Sequence, residues 1–312
     1  MKPLVCLLAM LPAGLLLTGC RDIRNRLSPD VLAVDAGSRT RFAAHISQDA
    51  AVLSASADSP LLMPDALQAA SGAEIEAGHL SLLAVSGSPC AFLRDYADRQ
   101  WLAPTCQVLY VPASACDALS GGQLPSAQQI AAAVAAGQIP CRTADAVLSD
   151  LLGGSGITAV CCLRQDAVSL ILADNSGTLD PLPDSACRGL ALLGKRWDTC
   201  SFAISGGICT VTQLRARIHA AEDSQQQLTF TLDAAVTCRT GAPAAAEAVL
   251  RQMLLDALTE TAQKAGADLL LLREAAVRDG ISDAGCCAAS EWQQRLRSAV
   301  YRAEIRLKTD AF

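Results

Sequence analysis

The sequence predicts an α+β protein built as three small mixed α/β domains, whose mainly antiparallel sheets are backed by helices. Residues 214–220 and 228–236 alternate apolar and polar side chains, which is typical of strands with one face on a core. Strand-like and helix-like segments alternate through the first half of the chain, which favours α/β layering. We place the domains at residues 20–140, 141–205 and 206–312, after a leader at residues 1–19.

The first domain is predicted to open with a hairpin. Strands at residues 30–34 and 40–46 flank the turn-rich segment Asp35-Ala36-Gly37-Ser38. The apolar spacing then predicts, in order, a helix at 65–70, a strand at 80–85, a helix at 91–101, a strand at 107–111 and a helix at 113–119.

Two helices and a strand pair are predicted next. The alanine-rich residues 127–136 favour a helix, and residues 143–152 favour another, with Thr143 as its cap. Residues 157–163 and 168–173 are apolar runs of strand length, and we expect them to pair.

The C-terminal domain is predicted to have the order β-β-α-β-α-β. After the two alternating strands, a long helix starts at Pro243 and ends at Gly266. Residues 267–272 are expected to form a buried strand, Trp292 to lie in a short helix, and residues 299–307 to form a last, antiparallel-type strand.

The N-terminal leader combines Lys2, a short apolar run and the sequence Leu17-Thr18-Gly19-Cys20. It is predicted to be a secretory signal that is too short to span a bilayer comfortably. The four residues resemble the lipobox of bacterial lipoproteins. That resemblance implies that Cys20 carries a diacylglycerol, with acyl chains such as palmitate, and anchors the mature chain to the extracytoplasmic face of the cell membrane. The alternative is an ordinary secretory signal with an incidental cysteine.

Charge and cysteine spacing exclude some classes of function. The net charge of −6 argues against nucleic-acid binding, which calls for a basic face. Twelve cysteines remain after Cys6 and Cys20, but they are irregularly spaced and no Cys-x-x-Cys occurs, so a structural zinc site has no anchor. We expect mostly free, buried thiols. A bridge between Cys200 and Cys209, across a hairpin at Gly206-Gly207, is the alternative for that pair.

The sequence predicts no catalytic residue, metal ligand or cofactor-binding residue. The only histidines are His45, His79 and His219, and none has a second ligand at helical or hairpin spacing. A Cys–His nucleophile pair stays open as a weak alternative. Asp268 is expected to cap a helix or turn. The Arg/Lys side of the last strand is expected to be a solvated face that can also contact a partner.

Five segments form a further pattern along the chain: Cys20 with the charged residues after it, Gly78-His79-Leu80 before an apolar strand, Arg188-Gly189-Leu190, Ala267-Asp268-Leu269 and Trp292. Together with the order of the elements, they resemble the Ger(x)C family of spore-germination lipoproteins, although Arg21 stands where the family usually has Trp.

The resemblance implies a non-enzymatic C subunit of a germinant receptor, needed for nutrient-triggered germination. It also implies that this subunit is tethered to the inner membrane of the spore and works with the membrane-embedded A and B subunits. The alternatives are an extracytoplasmic solute-binding or sensory lipoprotein and, less favoured, an extracytoplasmic hydrolase.

Overall fold

Fourteen strands and nine α-helices make up the part of the chain that the computed structural model describes, residues 26–47, 51–88, 90–153, 155–164 and 167–310. The strands are β1 (Arg26–Leu27), β2 (Val31–Asp35), β3 (Thr40–Ile46), β4 (Ala51–Ala57), β5 (Glu74–Ile75), β6 (Leu82–Ser86), β7 (Gln107–Tyr110), β8 (Thr158–Arg164), β9 (Ala167–Ala173), β10 (Thr178–Pro181), β11 (Cys200–Ile204), β12 (Gly207–Glu222), β13 (Leu228–Arg239) and β14 (Val300–Thr309). The helices are α1 (Met63–Ser71), α2 (Leu93–Asp98), α3 (Ala115–Ser120), α4 (Ala127–Ala135), α5 (Ala144–Leu152), α6 (Asp184–Gly194), α7 (Pro243–Leu258), α8 (Leu272–Arg278) and α9 (Ala289–Ser298). The predicted α+β class is confirmed.

Eight strands form one large sheet in the order β10-β9-β8-β7-β6-β2-β3-β4. Its central strands β2, β6, β7 and β8 run parallel. Antiparallel strands extend the sheet at both ends. Helices α1, α2 and α5 cover one face, and helices α3, α4 and α6 cover the other. Because both faces are covered, every residue of β6 is buried, as expected for a central parallel strand.

Most predicted elements of the first half are confirmed within one or two residues at their ends. The hairpin of β2 and β3 pairs Val34 with Phe42, and β8 pairs with β9 as expected. Strand β4 was not predicted from the sequence. Thr143 takes the N-cap position of α5 as expected, but its side chain makes no capping hydrogen bond. Arg142 instead fixes this helix: its guanidinium donates to the carbonyl of Ala159 at 2.7 Å and to the Asp150 carboxylate.

The C-terminal sheet has the order β11-β12-β13-β14. Its first three strands are antiparallel, and the alternation predicted for β12 and β13 is confirmed. The last pair, β13 and β14, is parallel, so the expected antiparallel last strand was wrong. The helices between residues 243 and 298 carry the chain back across the sheet, and a parallel pair needs a crossover of that kind.

Residues 267–272 do not form the predicted buried strand. Helix α7 continues as a π-helix over Thr259–Ala265 and ends at Gly266, whose φ of 76° is left-handed. An extended connection and a turn follow, and α8 begins at Leu272. The C-terminal part therefore places three α-helices between β13 and β14, where the prediction had a helix, a strand and a helix.

Helices α6 and α7 pack unusually closely against each other, and Gly189 makes this possible. A Cβ atom on Gly189 would lie 2.8 Å from the carbonyl carbon of Met253, closer still to its oxygen, and 2.9 Å from the Cβ of Ala257. Helix α6 also contributes Leu190 to the core beside the large sheet and Leu192 to the core of the C-terminal sheet. The close contact therefore connects the two sheets of the molecule.

The large sheet is continuous across the predicted boundary at residue 140. Strands β8, β9 and β10, from the predicted middle domain, extend the sheet that begins with β2 and β3. Strand β11, from the end of that same segment, belongs to the C-terminal sheet. The division into separate domains at residues 20–140, 141–205 and 206–312 stays a prediction.

Candidate interaction surface

The side of the C-terminal sheet that faces away from its helices carries a group of exposed cations, which we call the basic face. It comprises Arg215 and Arg217 on β12 and Arg302, Arg306 and Lys308 on β14. The strand register sets the spacing: Arg215, Ala235 and Arg306 lie side by side across β12, β13 and β14. The next row holds Gln213, Thr237 and Lys308.

Charge is unevenly distributed over the basic face. Arg217 shares its row with Asp233 and Glu304, so this row has a net negative charge. The two rows with Arg215, Arg306 and Lys308 contain no carboxylate, and the small side chain of Ala235 leaves a shallow groove of about 500 Å³ between them. This end of the face can attract an anionic surface.

Trp292 lies in the short helix α9, as expected from the sequence, and packs against the C-terminal sheet. Its ring is fully buried and meets Phe230 edge-on, with the ring centroids 6.4 Å apart. The indole Nε1 donates to Asp268 Oδ2 at 2.9 Å. The same carboxylate accepts the backbone amides of Leu272 and Arg273, so Asp268 caps α8 as predicted and also holds Trp292 in place.

The three histidines lie in different places, and each has an acidic neighbour. His45 Nδ1 lies 2.7 Å from Asp30 Oδ1, and His79 Nε2 lies 3.8 Å from Glu76 Oε1. His219 lies between two carboxylates, 3.5 Å from Asp233 Oδ2 and 3.7 Å from Asp279 Oδ2. In the described ranges, no three histidine, cysteine or acidic side chains come together in a way that could hold a metal ion.

Nine of the twelve cysteines in the described ranges are buried, as predicted. Burial raises the pKa of Cys106 and Cys161 to about 12, so these thiols stay protonated at neutral pH. A cysteine nucleophile needs a thiolate, which requires the opposite shift. Cys200 and Cys209 lie on adjacent strands, where Cys200 is opposite Val211 and Cys209 is opposite Phe202. The redox state of these cysteines stays a prediction.

Sequence reasoning missed a polar cluster around Asp35, at the carboxyl ends of the parallel strands. The Asp35 carboxylate accepts the hydroxyls of Ser86 and Ser114, both at 2.7 Å, and the backbone amides of Ala115 and Cys116 at the start of α3. Burial acts to raise the pKa of Asp35, but these hydrogen bonds outweigh it and lower the pKa below its usual value. Open α/β sheets commonly bind ligands at this edge. In this protein the Asp35 carboxylate, with its four hydrogen-bond donors, lies at that edge.

The predicted lipid-attachment residue, Cys20, and the leader at residues 1–19 lie outside the described residues, so both stay predictions. Among the helices that are described, none is long and apolar enough to cross a membrane.

Comparison with known proteins gives one informative match. No protein-family model matches the chain, and no curated protein does. The crystal structure of the GerBC protein is similar to this structure, with a TM-score of 0.57 and 10% identical residues. The alignment covers 90% of this chain and 97% of that chain. At this low identity the similarity concerns the fold alone: the chain has a GerBC-like fold.

Proposed function

We propose that this protein is a membrane-tethered subunit of a spore germinant receptor, and that it acts by interaction with other subunits and not by catalysis. The observation that carries the proposal is the GerBC-like fold, which extends over nearly the whole chain. The Ger(x)C-like segments found in the sequence point to the same family. Three of these segments contribute a residue with a structural role in the fold: Gly189, Asp268 and Trp292.

A lipid on Cys20 is the proposed tether. Strand β1 starts at Arg26, six residues after Cys20. A six-residue segment spans at most about 20 Å when it is fully extended. Two acyl chains hold a protein firmly at a membrane, whereas one chain holds it only marginally. The tether would therefore keep β1 close to the extracytoplasmic surface of the spore inner membrane, where the proposed A and B subunits are embedded.

The chemistry of the described residues favours an interaction role. The buried cysteines are protonated, Asp35 is engaged by four hydrogen-bond donors, and Asp268 caps a helix while it holds Trp292. Both carboxylates therefore already have structural partners. The exposed charge is instead gathered on the basic face, which suits contact with an anionic surface.

One observation favours the second candidate, a solute-binding or sensory lipoprotein. An open cavity of about 700 Å³ lies beside α2 and the start of α5, and His79, Arg99, Trp101 and Asp145 line it. The Arg99 guanidinium lies 5.0 Å from the centre of the Trp101 ring. Calorimetric titration of the purified chain with amino acids, sugars and nucleosides tests this candidate, because a binding lipoprotein should saturate with one of them.

The receptor proposal is tested by deleting the gene in the spore-forming host, together with any paralogous receptor genes. Growth and sporulation should be normal, and the spores should fail to respond to particular small-molecule germinants. The wild-type gene should restore the response, whereas Cys20→Ser should restore it poorly, because tethering raises the effective concentration at membrane partners. Normal germination of the deletion strain with every germinant tried would contradict the proposal.

A further inference from the structure

Strand β12 has an unpaired edge. Strand β11 pairs with β12 only as far as Val211, which lies opposite Cys200. Strand β12 continues to Glu222, and its pairing with β13 extends over that whole length. From Gln213 onward, no described strand pairs with the side of β12 that faces away from β13. Unpaired edges can pair with other chains, and proteins normally cover or blunt them.

Part of this edge is covered by side chains, and these show which backbone groups point outward. The Ala220 amide donates to Asp279 Oδ2 at 2.9 Å, and the Ile218 carbonyl accepts Arg278 Nη2. Both groups therefore point away from β13. In an antiparallel ladder, every second residue points its N–H and C=O to the same side, so those of Ala216 also face the free edge.

Ala216 borders a groove of about 320 Å³ between β12 and the turn before α8. Leu193, Ile218, Leu270 and Leu271 give the groove an apolar lining. Leu271 is 58% exposed and adopts a left-handed conformation, with φ 56° and ψ 40°. That conformation is disfavoured for leucine, and strained residues of this kind concentrate at functional surfaces.

The rim of the groove is basic. Lys195 and Arg217 are exposed and line it, together with Arg278, which is engaged by Asp279 and the Ile218 carbonyl. Glu274 is the one carboxylate among the lining residues. A chain that enters the groove therefore meets two backbone groups to pair with, an apolar surface and two exposed cations, of which Lys195 lies on helix α6's C-terminal side and Arg217 has Asp233 and Glu304 in its strand row.

We propose that an extended, acidic segment of another protein docks here by adding a strand to the edge of β12 at Ala216. Main-chain hydrogen bonds to Ala216 supply affinity, as in other cases of strand addition. An apolar side chain of the segment packs on Leu270 and Leu271, and its carboxylates meet Lys195 and Arg217. A lipid is a poorer occupant, because its acyl chain has no group that can pair with the Ala216 amide. The site goes beyond the receptor role and does not depend on it.

Photo-crosslinking in the native host tests the site with the full-length chain. The photoreactive amino acid benzoyl-phenylalanine replaces Leu271 in one strain and Ile208 in a control strain; Ile208 is 64% exposed, on the hairpin between β11 and β12. We expect a protein crosslink from position 271 only. Mass spectrometry should place it on a segment of another protein with carboxylates next to the crosslinked residue.

Two variants made in the strain with the probe at position 271 test the mode of binding. Ala216→Pro removes the outward N–H and is compatible with a strand edge, whereas Ala216→Ser keeps it. We expect Ala216→Pro to lower the crosslink yield about tenfold, because a buried partner group loses its hydrogen bond, and Ala216→Ser to leave the yield unchanged. The double variant Lys195→Glu/Arg217→Glu should also lower it, unlike Arg306→Glu/Lys308→Glu on β14.

Several results would overturn the proposal. They are the absence of a crosslink from folded protein, crosslinks only to lipid or to a second copy of this chain, and an unchanged yield in a folded Ala216→Pro variant. If Ala216→Pro does not fold, the two charge-reversal double variants provide the test: an equal crosslink yield in Lys195→Glu/Arg217→Glu and in Arg306→Glu/Lys308→Glu would then overturn the proposal. The germination assay and the crosslinking experiment are independent. If the deletion strain germinates normally but position 271 still crosslinks to an acidic segment, the receptor proposal fails and the docking proposal stands.

Discussion

The close contact between α6 and α7 makes a specific prediction about Gly189. In Gly189→Ala, the added Cβ meets backbone atoms of Met253, which cannot rotate away as a flexible side chain can. Overpacking of this kind costs about 1–3 kcal/mol, and backbone contact places this case at the upper end. Replacing Gly with Ala inside a helix also stabilises the helix by about 1 kcal/mol, which offsets part of that cost. We therefore expect a net loss of about 2 kcal/mol in the free energy of unfolding.

Gly194, at the end of the same helix, provides a matched control. A Cβ there has Pro140 Cβ as its nearest neighbour, at an ordinary contact distance of 3.9 Å. Gly194→Ala should leave stability unchanged or raise it by up to about 1 kcal/mol. Both variants are made in the chain from Arg21 onward and compared by urea denaturation followed by circular dichroism. Equal stability of the two variants would refute the proposed packing of α6 on α7.

Three further predictions concern the cores, the Asp35 cluster and the thiols. Trp292→Ala should lower the free energy of unfolding by about 3–5 kcal/mol, and Trp292→Phe, which loses mainly the bond to Asp268, by about 1–3 kcal/mol; a stable, abundant Ala variant would rule out the core role. The hydrogen bonds hold the folded-state pKa of Asp35 below its unfolded value of about 3.9. The ionised carboxylate therefore stabilises the folded state fully at any pH above the unfolded pKa, and this stabilisation is lost as the pH falls through the folded-state pKa. Asp35→Asn should therefore be less stable at neutral pH and lose less stability on acidification, and parallel pH curves of unfolding would contradict this. A thiol reagent should modify exposed Cys286 first in the native protein and reach about twelve thiols only after denaturation; almost no free thiols in the denatured chain would show instead that the cysteines are bridged.

Strong alternation made much of the C-terminal sheet predictable. Strands β12 and β13 alternate large apolar and polar side chains, and the structure buries the apolar set of β13 as expected. Strand β4 lacks this signal, because it contains mostly alanine and serine and lies at the edge of the large sheet with no fully buried residue. A strand of small side chains is defined by its pairing with β3, which its own sequence does not reveal.

The apolar run at residues 267–272 shows where hydrophobicity alone misleads. Its residues are apolar apart from Asp268, but they are buried differently: Ala267 and Leu272 are fully buried, whereas Leu271 is 58% exposed. An apolar run of six residues has no period that separates a strand from the entry to a helix. The capping role predicted for Asp268 was the better indication, because a cap marks the start of α8.

The two candidate surfaces were predictable to different degrees. The Arg/Lys face of the last strand follows from alternation, and the sequence predicted it. Its combination with Arg215 and Arg217 depends on the register between three strands. The free edge at Ala216 depends on where β11 ends and on how Arg278 and Asp279 cover the neighbouring residues, which are contacts between distant parts of the chain.

Purification of this chain from its own membrane tests whether it is the tethered subunit of a membrane receptor. Spore inner membranes are solubilised in a mild detergent, and the full chain is isolated through an affinity tag at its C-terminus, with Cys20→Ser as the untethered control. We expect two multi-span membrane proteins to co-purify with the wild-type chain in about equal amounts, and their yield to fall with Cys20→Ser. Recovery of the wild-type chain alone, from membranes in which it is abundant and folded, would contradict the receptor proposal.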